Sequence, residues 1–227
     1  MALLNKYNDF IDRVNELGFM ALSNIHEGFP SLSSETSENQ WHTGEYETDP
    51  WQWKDRAAEE KKLAFGCILG GNKGFISKKM YQYFYRVYKP TLSMEKRWEE
   101  GMISSELWNL WKLFNNKTLL NTAEIRKEMG VTPKSGGSKI DRAVVQLQKE
   151  YYITVSGNRY KINKQGEPYG WPANTYDRVE NWVPTEWIEN SCNIDVEEAR
   201  LTIINTGLSV CKGLDKNHLI KILSLKK

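Results

Sequence analysis

Three tryptophans, a histidine and three carboxylates fall within fourteen residues, from Trp41-His42 through Glu45, Glu47 and Asp49-Pro50 to Trp51-Gln52-Trp53-Lys54. Aromatic faces at that density can hold a flat heterocycle by stacking. A carboxylate beside them can orient a water or stabilise a cationic sugar, which is the chemistry of an extruded nucleobase. Trp41, His42, Asp49, Trp51, Trp53 and Lys54 are therefore candidate pocket residues, with Asp49 or Glu47 as the carboxylate. A structural reading competes with this one. The tryptophans can fasten an irregular stretch to the domain while Asp49 makes an Asx turn before Pro50.

No other constellation reaches the same density. His26, His42 and His218 are scattered, so neither a metal site nor a nucleophile-base pair is indicated, and no metal or cofactor is expected. Cys67, Cys192 and Cys211 share no Cys-x-x-Cys spacing and read as buried thiols. Gly66 and Gly71 have phosphate-loop spacing, but Asn72-Lys73-Gly74 follows, which displaces the lysine and omits the Ser or Thr; a hairpin turn is the better reading. No apolar run reaches the roughly 18 to 20 residues of a membrane span, and the N-terminus lacks the order of a secretory signal, so the expectation is a cytoplasmic protein away from membranes.

The elements that must position these residues follow from periodicity. Apolar residues at 40% and charged residues at 26% are ordinary for a folded chain. Tyr7, Phe10, Ile11, Val14 and Leu17 recur at helical spacing with Gly18 as a stop. From Ser23 to about Pro50 the periodicity vanishes, as in a long loop. A polar helical stretch over Trp51 to Lys62 precedes a hairpin turning at Gly70-Gly71-Asn72, and Ser77 caps a helix carrying Met80, Phe84 and Val87. Glu95 to Gly101 reads as a connector.

Charge is unevenly spread. The net charge is +2, yet residues 104 to 164 hold eleven Lys and Arg against five Asp and Glu, while both flanks are slightly acidic. One module rather than the whole surface would attract a polyanion. Within it, Leu107, Leu110, Trp111 and Phe114 mark a first helix and Leu119-Leu120 a strand stub. Asn121-x-x-Glu124 opens a second helix with a capping box. The third helix buries Ile140, Val144, Leu147 and Tyr151 and turns Lys139, Arg142, Gln146 and Lys149 outward. A hairpin turning at Ser156-Gly157-Asn158 follows, with Tyr160 and Ile162 inward and Arg159, Lys161 and Lys164 adding charge. This is the pattern of a winged helix-turn-helix, whose third helix fits a major groove about 12 Å wide while the wing's cations meet phosphates.

The expected fold is α+β and mainly helical. Residues 1–103 form an N-terminal helix, a long Trp-rich loop and a hairpin, with a degenerate second winged helix as one option. Residues 104–164 form the winged helix. Residues 165–227, with a helix containing Tyr176, Val179 and Trp182 and a second capping box at Asp195-x-x-Glu198, form a helical region packed on the core.

The winged-helix segment, with Trp171-Pro172 and Trp182-Val183-Pro184 downstream and Asp49-Pro50-Trp51-Gln52-Trp53-Lys54 upstream, resembles bacterial proteins related to the AlkZ DNA glycosylases. The resemblance spans most of the chain. It implies tandem winged-helix units and DNA as ligand, because AlkZ-type enzymes release alkylated or crosslinked purines. Those enzymes are considerably longer and carry a Gln-x-Gln or Gln-x-Asp catalytic motif in the N-terminal unit. Here the Gln-x-Gln is Gln146-Leu147-Gln148, inside the groove-facing helix, and Leu63-Ala64-Phe65-Gly66 lacks the histidine of the family's tryptophan-and-histidine strand. Gln146 and Gln148 are thus catalytic candidates at a displaced position. The leading expectation is a protein that grips double-stranded DNA; the alternatives are an active base-excising glycosylase and a winged-helix module that binds protein.

Overall fold

The computed structural model describes residues 3–132, 137–163 and 165–225. It is α+β, mainly helical, with two small antiparallel sheets. The chain begins with α1 (Tyr7–Leu17), β1 (Phe19–Ala21), α2 (Leu32–Glu35), α3 (Pro50–Glu59), β2 (Leu63–Leu69) and β3 (Asn72–Ser77). Two helices, α4 (Lys78–Tyr88) and α5 (Met94–Glu99), lead to α6 (Ser105–Asn116), β4 (Leu120–Asn121), α7 (Thr122–Glu128), α8 (Gly137–Lys149), β5 (Ile153–Ile162) and β6 (Pro168–Arg178). Helices α9 (Val179–Trp182), α10 (Val196–Val210) and α11 (Lys216–Ile222) close the chain.

Local chemistry sets the boundaries. Helix α1 buries Tyr7, Phe10, Val14 and Leu17 and stops where Gly18, at φ 86°, donates its N–H to the Val14 carbonyl. Helix α7 opens with a capping box: Asn121 Oδ1 accepts from the Ala123 and Glu124 N–H groups while Glu124 Oε2 accepts from Asn121 N–H. Such caps satisfy donors that the first helical turn leaves without partners.

The two sheets reveal a repeat. Helix, strand, helix, helix and hairpin succeed one another twice, and the sheet orders are β1-β3-β2 and β4-β6-β5. Backbone kinks recur at matching points: Gly18 (φ 86°) and Leu119 (φ 55°) precede the first strand of each unit, and Lys61 (φ 54°) and Tyr151 (φ 57°) join its last helix to its hairpin.

The units interlock by exchange. Helix α3 of the first packs on β5 of the second, and α8 of the second packs on β2 of the first. Each receiving strand bulges at a glycine, Gly66 at φ 150° and Gly157 at φ 151°. At the first bulge, buried Gln148 places Oε1 3.0 Å from the Cys67 N–H, and a Cβ on Gly66 would come within 2.7 Å of that oxygen. At the second, Asn158 Nδ2 donates to Asp55 Oδ2 at 2.9 Å. Burying both hairpin faces this way joins the units into one core that includes Trp53, Phe65, Phe75, Leu147 and Tyr151.

The C-terminal helices fasten the first unit. Helix α10 lies on α4 and α11 on α10. Tyr88 O–H donates to the Leu223 carbonyl, Asn72 Nδ2 to Ile222 O at 2.9 Å, and Ser224 O–H to Gly70 O at 3.1 Å. The β2–β3 turn is thereby tied to the chain's end.

Several sequence expectations need correction. The second hairpin does not turn at Ser156-Gly157-Asn158; β5 runs through to Ile162 and the return strand is β6, beyond residue 164. Gly157 marks a bulge instead, at φ 151°, where the pairing with β6 shifts register beside Glu59 of α3. Tyr160 and Ile162 are exposed rather than inward. Tyr176 belongs to β6, not to a helix. Glu95 to Glu99 is helical in α5, capped by Ser93, and the stretch read as an aperiodic loop contains α2 and a 3-10 turn at Glu38–Gln40. Part of the expected turn between α7 and α8 lies outside the described residues.

Candidate functional site

Helix α8 buries Ile140, Ala143, Val144, Leu147 and Gln148 and exposes Ser138, Lys139 and Arg142. Its outward cations are only loosely held. Lys139 Nζ lies 3.1 Å from Glu106 Oε1, and Arg142 Nε donates to the Ser138 carbonyl at 3.2 Å, leaving its guanidinium facing solvent. The Glu106 carboxyl is held below the usual carboxylate range by its own backbone N–H and by Lys139. Lys139, Arg142 and Gln146 line a cleft of about 470 Å³ with Arg97, Ile103 and Glu106. Gln146 Nε2 donates to Glu150, which also receives Arg97 in a fork at 2.7 and 2.9 Å.

The rest of the predicted basic set is dispersed. Lys149 is half-buried, its stem 3.6 Å from where a Cβ on Gly71 would sit. Arg159 lies on β5, 3.8 Å from Glu124 of α7. Lys161 enters only through its backbone pairing with Tyr169, and Lys164 lies outside the described residues. Gln148 faces the seam rather than solvent: its amide is used by Cys67 N–H and the Val144 carbonyl.

The tryptophan-rich stretch divides into core and surface. Asp49 is fully buried and caps α3, its carboxylate accepting from the N–H groups of Trp51 at 2.8 Å, His42 at 3.0 Å and Gly44 at 2.9 Å. Both oxygens are thus committed to backbone, as in an Asx turn before Pro50. Glu47 pairs with Arg56 at 2.7 Å, and its carbonyl accepts from Trp53 Nε1 at 3.0 Å. Trp53 is a core residue stacked on Phe10, with ring centroids 5.7 Å apart. Trp41 is half-buried and donates to Thr36 Oγ1 at 3.0 Å.

His42, Trp51 and Lys54 do come together. The His42 ring lies 4.8 Å from that of Trp51, and Lys54 Nζ sits 4.1 Å from the Trp51 centroid. Two partners were missed by sequence reasoning. Trp171 of β6 meets His42 edge-on at 5.8 Å, brought there by a pairing between distant strands. Asp55 pairs with Lys54 at 2.5 Å in a nearly water-free setting and is reached by Asn158. Burial pushes the Lys54 amine below the ordinary lysine value despite the neighbouring carboxylate. Asp55 looked like one more charge on a polar helix; its burial depends on β5, which sequence periodicity does not place beside it.

Among the described residues no group of three or more His, Cys, Asp or Glu is placed to hold a metal, and no helix is long and apolar enough to cross a membrane. Fold and site together define an α+β protein of two repeated units, with a cation-lined cleft on one and an aromatic cluster shared between both. The chain belongs to the AlkZ-related family, whose model matches residues 4–224. No curated protein and no solved structure matches the chain.

Proposed function

We propose that each repeated unit is a winged helix and that the second holds double-stranded DNA through α8 and the β5–β6 hairpin. The observation that carries this reading is the outer face of α8, where exposed Lys139 and Arg142 and half-buried Gln146 line one cleft within the strongly basic module of residues 104 to 164. Arginine and glutamine ends suit base edges in the major groove, and lysines suit phosphate. Membership in the AlkZ-related family and the resemblance to AlkZ-type glycosylases favour DNA over a protein partner. The function is grip in a DNA-repair setting rather than base excision, because Asp49 is committed to capping and Glu47 to an exposed ion pair.

A salt titration of duplex affinity tests this reading. Log affinity falls linearly with log salt, and replacing Lys139 and Arg142 together by Ala weakens binding and makes that slope shallower. Affinity that ignores both salt and these substitutions overturns it.

A further inference from the structure

The strongest unassigned feature is the aromatic cluster where the second hairpin reaches the first unit. Trp171 is 67% exposed on β6, although indole exposure of that size is unfavourable in water. Its ring meets that of His42 in a T-shaped contact, at 81° and 5.8 Å, and most of its surface stays open to solvent. His42 is held at φ 64°, a backbone region that non-glycine residues seldom adopt, by the same Asp49 carboxylate that caps α3. That cap sets the imidazole between Trp51 and Trp171. Beneath, Lys54 places a positive charge against the Trp51 ring.

We infer that His42, Trp51 and Trp171 form a stacking platform for an unpaired base of a DNA strand. This rests on the DNA reading above and adds a ligand subsite to it. Three features select this occupant. A base offers a flat π-face to open indole, its phosphate is drawn to exposed Arg159, which β5 pairs opposite Ala173, two residues from Trp171, and the platform takes a ring from each unit, as a strand crossing the seam requires. An apolar peptide would need a continuous groove, whereas exposed Thr43, Gly44 and Glu45 follow His42 and exposed Gly170 adjoins Trp171.

The test compares a fully paired short duplex with the same duplex carrying one bulged base, by fluorescence anisotropy, with quenching of tryptophan emission as second readout. Stacking of one base predicts about tenfold tighter binding of the bulged duplex. Trp171→Ala removes that preference without changing the unfolding midpoint, and Trp171→Phe keeps most of it. Equal affinity for both duplexes, or a preference that survives Trp171→Ala, overturns the platform while leaving the DNA reading intact. Failure to bind either duplex overturns both, and a shift to a second copy of the chain or a peptide as the quencher overturns the choice of ligand.

Discussion

Gln148 accepts the Cys67 N–H at 3.0 Å across 81 residues of sequence, so a side chain of the second unit completes the backbone of a strand in the first. Without it a half-buried donor at the β2 bulge loses its partner, a loss of about 1–3 kcal/mol. Gln148→Ala therefore lowers stability in urea by that amount, whereas Gln146→Ala on the outer face changes it by less than about 0.5 kcal/mol. Equal, small effects would remove Gln148 from the seam.

Gly66 tests the same contact from the other side. At φ 150° a side chain is strained, and its Cβ would stand 2.7 Å from Gln148 Oε1. Gly66→Ala costs about 2 kcal/mol or more in an otherwise intact protein. In a Gln148→Ala background the collision is gone and only the backbone strain remains, so the two substitutions are less than additive. Additivity in that cycle contradicts a shared contact.

Lys54 and Asp55 form a buried pair, each about 4% exposed at the side chain. Asp55→Ala strands a cation and lowers stability by about 3–5 kcal/mol, while the double change Lys54→Met with Asp55→Leu costs far less. The pair also has a pH signature. Burial holds the folded pKa of Lys54 below that of the unfolded chain, about 10.4. Unfolding takes up a proton between those values, so this group's contribution to stability rises with pH through that interval. Urea midpoints between about pH 8 and about pH 10 should climb more in the wild type than in the double variant.

The three cysteines differ in reach. Cys192 is exposed, Cys67 is half-buried with its thiol pushed up by burial, and burial raises the Cys211 thiol to about 12. A chromogenic disulfide reagent at mild alkaline pH should titrate one thiol rapidly in the native protein and all three in denaturant. Rapid modification of Cys67 would mean that the seam opens.

Sequence reasoning located most helices because their signals are local: the Tyr7 to Leu17 face, the Ser77 cap and the Asn121–Glu124 box each depend on neighbours within a few residues. The turn of the second hairpin is not legible in the sequence, because Gly157 has the composition of a turn but the setting of a bulge, which the pairing with distant β6 defines. Strand β6, with Pro168, Gly170 and Pro172, has little strand propensity and exists through its pairing with β5. The same non-local pairing hid Trp171 from the site, while His42, Trp51 and Lys54 could be read directly from their density in the chain. Asp49 admits both a reactive and a capping reading in the sequence, because one residue type serves either role, and its three backbone donors are set by a fold that spacing does not show.

The exchange of helix α3 for helix α8 across the two hairpins has the logic of a symmetric dimer written into one polypeptide. In such a dimer one substitution strikes both halves of the contact. Here the halves are spelled differently, an uncharged amide meeting a backbone donor on one side and an ion pair meeting an asparagine on the other. Each side can therefore be loosened alone, and severing the chain between the halves would leave two fragments that each carry an uncovered face shaped for the other.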